Sequence, residues 1–320
     1  MFNKQTRNVF LVVGLWGWAA CKQEATPPPP APVVAEPAPP DAEVPDTRPL
    51  GPIRIGDVGF DTPESALHDG LSDVYLVSNI GGDPFGKDDN GFISMLSPDG
   101  VVKQLKFIDG AAKDVTLNAP KGLAIAGDTL YVADIDTVRM FDRTTGKAKG
   151  EVKIKGATFL NDIAVMDETV FVSDSGLKPG FKPSGSDAIH MIKDGKAKPL
   201  LKNKSLAGPN GLVTHGDMLW VVNFGGKTLQ MVGMDGKLSG AVEMPEGQLD
   251  GVVMLRDGSF LVTSWASSSI YHGKPGSNAA FEAVITDVPS PADIGYDGGR
   301  NRVIVPLFQK NVVEIHTLAL

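Results

Sequence analysis

The chain has 320 residues, a formal charge of −8 and a single cysteine. The acidic balance, with no basic cluster, argues against a nucleic-acid partner, because neutralising phosphates needs Lys and Arg. One cysteine excludes an internal disulfide, so an oxidising compartment adds nothing to stability.

Residues 1–20 read as an export signal. Lys4 and Arg7 precede "VFLVVGLWGWAA", Val9 to Ala20. This apolar run is too short to cross a bilayer as a helix and fits the core of a signal peptide. "AAC" follows, so Cys21 is expected to become the lipidated first residue of a bacterial-type lipoprotein. Trp18 stands where that pattern prefers Leu, and an ordinary cleaved signal with an incidental cysteine is the other reading. Residues 21–50 contain "PPPPAPVVAEPAPP", which cannot bury a core and forms a polyproline-like tether rising about 3.1 Å per residue. The expected location is therefore exported and membrane-anchored, on the periplasmic or cell-surface side, with the domain held away from the lipid.

Residues 51–320 suffice for one large domain and show a loose internal period. The copies begin "TPESALHDGLSDVYLVSN" at Thr62, "APKGLAIAGDTLYVAD" at Ala119 and "TFLNDIAVMDETVFVSD" at Thr158. Three more begin "GPNGLVTHGDMLWVVN" at Gly208, "QLDGVVMLRDGSFLVTS" at Gln248 and "SPADIGYDGGRNRVIVPL" at Ser290. Each holds a short strand, a turn with Asp or Gly, an apolar strand and usually a third strand. Units of this size read as propeller blades. The expected fold is all-β: a six-bladed β-propeller, with a β-sandwich as the rival. The last unit is one outer strand short, and "IRIGDVGF", Ile53 to Phe60, is expected to supply it and close the ring by pairing the N- and C-terminal strands.

In a propeller the innermost strands line a central channel, so equivalent positions meet near the axis. Those positions are read as Glu64, Lys121, Asn161, Asn210, Asp250 and Asp293. A ring of carboxylate and amide oxygens without His or Cys suits a hard cation, Ca²⁺ first, with Mg²⁺ or Mn²⁺ next.

Other features have plainer readings. "GGDPFGKDDNG", Gly81 to Gly91, lacks the ligand spacing of an EF-hand and reads as a polar loop. "GLKPGFKPSGSDAIHMI", Gly176 to Ile192, is an insertion that either covers the channel mouth or is simply tolerated. The histidines share no metal-like spacing, and no G-x-S-x-G elbow is present. Asp134 and Asp174 are expected to cap turns; Trp220, Trp265, Tyr131 and Phe171 are expected to pack between blades.

Four motifs, one per unit and in order, carry a resemblance: "PES" at Pro63, "LND" at Leu160, "GPNGL" at Gly208 and "LDG" at Leu249. The domain resembles the senescence marker protein (regucalcin)/gluconolactonase family of six-bladed propellers, and more remotely the phosphotriesterase and paraoxonase propellers. The resemblance implies a divalent cation held by Glu64, Asn161, Asn210 and Asp250, hydrolysis of a lactone or similar ester, and a proton-accepting or water-orienting role for Asp250. Family members often carry Arg where this chain has Phe159, which implies an apolar substrate edge rather than a sugar lactone. Lys121 in the ring is either a structural counter-charge that replaces the cation or an anchor for an anionic ligand. The expectation is a monomeric, cation-dependent hydrolase for a small lactone or ester. The alternative is a non-catalytic, NHL-type propeller for ligand or protein recognition.

Overall fold

The computed structural model describes residues 51–277 and 279–320. The signal, Cys21 and the tether lie outside the described residues, among which no helix is long and apolar enough to cross a membrane.

The described chain forms six four-stranded antiparallel sheets arranged as a six-bladed β-propeller. From axis to rim, blade 1 comprises Pro63–Asp69, Val74–Asn79, Phe92–Leu96 and Val102–Asp109. The innermost strands of the next four blades are Pro120–Ala126, Leu160–Met166, Pro209–His215 and Leu249–Met254. Blade 6 runs Gly295–Asp297, Arg302–Leu307 and Val312–Thr317, and its outer strand is Ile53–Ile55 from the other end of the chain. Ile53 pairs with Ile315 and Ile55 with Val313, so the two ends close the ring. The closing strand is shorter than "IRIGDVGF", because the chain turns away at Gly56 to lead into blade 1.

The core is not central but divided into wedges between blades. Each sheet alternates, sending odd and even residues to opposite neighbours. Blades 2 and 3 meet through Val152, Ile154, Leu160 and Val172. Blades 6 and 1 meet through Ile55, Tyr75, Val77, Ile304 and Val313. Tyr131, Phe171 and Trp220 lie in such wedges.

Asp134 and Asp174 end second strands and hold the approach to their own blade. Asp134 accepts the backbone N–H groups of Asn118 and Ala119, at 3.2 and 2.9 Å. Asp174 accepts that of Phe159 at 3.0 Å. These anchors fix where the chain enters each innermost strand, and hence where the next residues point.

Candidate functional site

Five innermost strands slip register at the same place: between Pro63 and Ser65, Pro120 and Leu123, Leu160 and Ile163, Pro209 and Leu212, and Leu249 and Val252. A bulge re-aims the side chain it contains. The residues in these bulges are Glu64, Lys121, Asn161, Asn210 and Asp250, and all five line one cavity of about 370 Å³ at one mouth of the channel. The position after three of them is glycine because the blades crowd there. A Cβ on Gly211 would stand 2.5 Å from the Asp250 carbonyl oxygen, and one on Gly251 would stand 2.6 Å from the Ile294 nitrogen.

Asp293 is not in that cavity. Pro291 pairs with Leu307 as Pro63 pairs with Asn79, so Ala292 is the counterpart of Glu64 and Asp293 that of Ser65. One residue of offset turns a strand side chain to the other side. Asp293 therefore joins Asp162 on the wall of a second cavity farther along the inner strands. Its Oδ2 accepts from Ser65 Oγ at 2.5 Å, and burial pushes its carboxyl up to about 7. Asp162 Oδ2 accepts the N–H of Leu212 at 2.6 Å, tying blade 3 to blade 4, and burial followed by the Asp293 charge raises its carboxyl well above the usual range.

In the first cavity Glu64 and Asp250 are both buried and both held well above the ordinary carboxylate range. Burial is the larger cause for each. Glu64 next feels the Asp250 charge, opposed by Lys121; Asp250 next feels Asp293, opposed by Trp265 and Asn210. The Trp265 indole N–H faces Asp250 without an aligned hydrogen bond. Glu64 Oε2, Asn210 Oδ1 and Asp250 Oδ1 are buried with no hydrogen-bond partner. Three acceptor oxygens left unpaired around one cavity are costly unless something electropositive meets them. Asn161 is oriented by its own contact: its Nδ2 donates to Ser175 Oγ at 3.0 Å, and Ser175 Oγ donates to the Pro209 carbonyl at 2.7 Å. This commits the nitrogen and leaves the amide oxygen as the free end.

Lys121 is 1% exposed. Its Nζ donates to the Ala119 carbonyl at 3.0 Å and the Pro84 carbonyl at 3.4 Å, and lies 4.3 Å from the centre of the Phe159 ring. Burial pushes the ammonium down to about 8 against the opposing pull of Glu64. Among the described residues no group of three or more His, Cys, Asp or Glu is arranged to hold a metal ion. The oxygen set here is mixed, with amides beside carboxylates. Its chemistry fits a hard divalent cation, with Glu64, Asn210, Asp250 and the Asn161 oxygen as the residues able to hold one.

Trp265 lines this cavity rather than packing solely between blades, and Phe181 and Leu177 of the blade 3 insertion line it too. That insertion forms a small hairpin, Leu177–Lys178 against Lys182–Pro183. Sequence reading also passed over Ser175, Phe224, Gln248, Phe308 and Gln309 in the lining. A signal for part of this was present. The residue following the second strand is Ile80, Ile135, Ser175, Phe224, Trp265 and Phe308 in successive blades, a second recurring slot one ring above the first. The histidines stay out of the cavity; His272 contacts Ser259 and His316 contacts Glu314.

No protein-family model and no curated protein matches the sequence. The motif resemblance is thus without a sequence-level match, while the fold has clear structural neighbours. Virginiamycin B lyase from Staphylococcus aureus superposes with a TM-score of 0.59 at 14% identity, over 83% of this chain and 99% of that one. A catalytically inactive form of that lyase, solved with quinupristin, gives 0.55 at 15% identity, again over 83% and 99%. Nidogen in its complex with laminin gives 0.59 at 18% identity, over 72% and 88%. At these identities the likeness establishes the propeller fold.

Proposed function

We propose that the protein is a divalent-cation-dependent hydrolase for a lactone or ester, presented from a membrane through lipidated Cys21. The observation that carries this reading is the trio of unpaired buried oxygens, Glu64 Oε2, Asn210 Oδ1 and Asp250 Oδ1, around one cavity. Calcium is the expected cation, with magnesium and manganese as alternates, and Asn161 adds a fourth oxygen. When bound, the cation supplies Lewis-acid polarisation of the substrate carbonyl. The chain's own residues do the rest. Asp250 accepts the proton of the attacking water. Ser175 pins the Asn161 amide so that its oxygen faces the cation position. The apolar walls exclude bulk water from the reacting carbonyl. The propeller enzymes among the structural neighbours are consistent with catalysis on this scaffold.

One observation favours a second reading. Buried Lys121 already offers a positive charge to Glu64, which fits a metal-free propeller that recognises an anionic or carbonyl ligand without turning it over. Assay against a panel of lactones and aryl esters separates the two. Activity is expected to vanish with chelator and to fall about 10²–10⁴-fold in Asp250→Asn, the range for a lost general base. Full activity in that variant would reject the role given to Asp250, and inactivity of the wild-type protein with every cation would leave the recognition reading.

A further inference from the structure

The cavity carries two aromatic walls on opposite halves of the ring. Over blades 1 to 3, Phe85, Phe159 and Phe181 cluster, with ring centres 4.8 Å apart for Phe85 and Phe159 and 5.3 Å for Phe85 and Phe181. Over blades 4 to 6, Phe224, Trp265 and Phe308 form a row, with centres 5.4 and 5.2 Å apart. Five of the six line the cavity, and Phe85 backs the other two of its cluster. The second row is built from one repeated position, the residue after the second strand, whereas the first is assembled from loops and the blade 3 hairpin. The polar ring lies between them at the base.

Core packing does not account for Phe181. Phe181 is 60% exposed, and its backbone sits at φ +55°, a left-handed conformation that bulky residues avoid. An exposed ring on a strained turn, packed edge-on against Phe85, has no core to serve. Trp265 adds a second feature: its indole N–H is buried beside the cavity and faces Asp250 without an aligned hydrogen bond. A ligand that stacks against the walls and offers an acceptor oxygen at their base would use both.

We infer that the site takes a small ester, lactone or related carbonyl compound carrying a flat aromatic or fused-ring group, which lies between the two aromatic walls under the Phe181 hairpin, with its carbonyl oxygen accepting from the Trp265 N–H. A cavity of about 370 Å³ accommodates a molecule of that size and not a folded partner. Flat faces are selected because aromatic pairs gain from offset stacking and edge contacts that a puckered ring cannot match. This rests on the proposed cavity as the binding site, but not on hydrolysis.

The test is therefore binding without turnover. Calorimetric titration of the full-length protein in detergent, with 2-naphthylacetamide and its saturated counterpart decahydronaphthylacetamide, compares flat and puckered groups bearing the same unreactive amide. The naphthyl probe is expected to bind at least tenfold more tightly. Phe181→Ala should weaken it about five- to tenfold and Phe181→Tyr should restore it, while decahydronaphthyl binding changes less than twofold. Exposed Phe181 makes loss of folding an empty explanation, and Phe308→Leu reads the opposite wall independently with the same expected direction. Equal affinity for the two probes, or insensitivity to both wall substitutions, would overturn the inference. Chelator-sensitive ester hydrolysis without this preference would overturn it alone, leaving the proposed hydrolase standing; tight naphthyl binding without hydrolysis would do the reverse.

Discussion

Lys121 and Glu64 state the problem of the site most compactly. Both are buried, and each is the other's opposing charge. Removing Lys121 takes away the positive charge that opposes the upward push on the buried Glu64 carboxyl. Lys121→Met is therefore expected to lower the melting temperature in chelator. If a cation can take over the compensation, calcium should recover more stability in this variant than in the wild-type protein, and a melting series in both conditions reads the difference. Asp293 makes a separate prediction. Its carboxyl is raised to about 7 from an ordinary value of 3.8, so the native protein holds that proton more firmly than the unfolded chain. The favourable contribution is fully present below about pH 4 and is lost as pH rises through about 7. Asp293→Asn, which cannot ionise, should consequently gain stability relative to wild type between pH 5 and pH 8. The gain should be roughly 2–3 kcal/mol on the scale of 1.36 kcal/mol per unit, measured by urea unfolding at the two pH values.

At the level of the strand, the bulge is the device that makes a site. It turns one residue per blade inward, and the small residue after it lets the next blade approach. Gly211→Ala forces a Cβ against the Asp250 carbonyl, a backbone atom that cannot swing away. We expect it to cost about 1–3 kcal/mol and to misplace both Asn210 and Asp250, so that cation affinity falls along with stability. A neutral outcome in both measurements would mean the blades are less tightly packed at the axis than described. The same element explains how far the sequence could be read. "PES", "PKG", "LND", "PNG" and "LDG" align because each carries the bulge, and so five axial residues were legible. Blade 6 has a shorter inner strand, and alignment by residue type placed Asp293 where the pairing of Pro291 with Leu307 places Ala292. A carboxylate was the natural choice by chemistry; register decided otherwise. The aromatic row was missed for a related reason. Trp265 follows its strand like any packing aromatic, and only the ring's geometry reveals that Phe224 and Phe308 occupy the same slot. Phe85 and Phe181 come from loops of unequal length, which no repeat pattern predicts.

For the whole molecule, closure and binding are the two properties that matter. Ile53–Ile55 cover the edge of Val312–Thr317, so a chain beginning at residue 57 would expose a strand edge of blade 6. It should melt at lower temperature and self-associate where the longer chain does not, as read by calorimetry and light scattering. Fold class and blade number were legible because the same strand–turn–strand unit recurs six times; the ligand was not, because it depends on loops and on charges brought together from blades remote in sequence. The proposed site has a single physical requirement: the unpaired oxygens of Glu64, Asn210 and Asp250 need an electropositive partner. Calcium titration followed by thermal unfolding tests this most directly. Binding with free ion about a hundredfold above the dissociation constant contributes about 2.7 kcal/mol, or a rise on the order of 5 °C for a domain of this size. That rise, abolished in Asp250→Asn, is the predicted result. A melting temperature unmoved by millimolar calcium, magnesium or manganese would contradict it and leave Lys121 as the charge that holds the ring together.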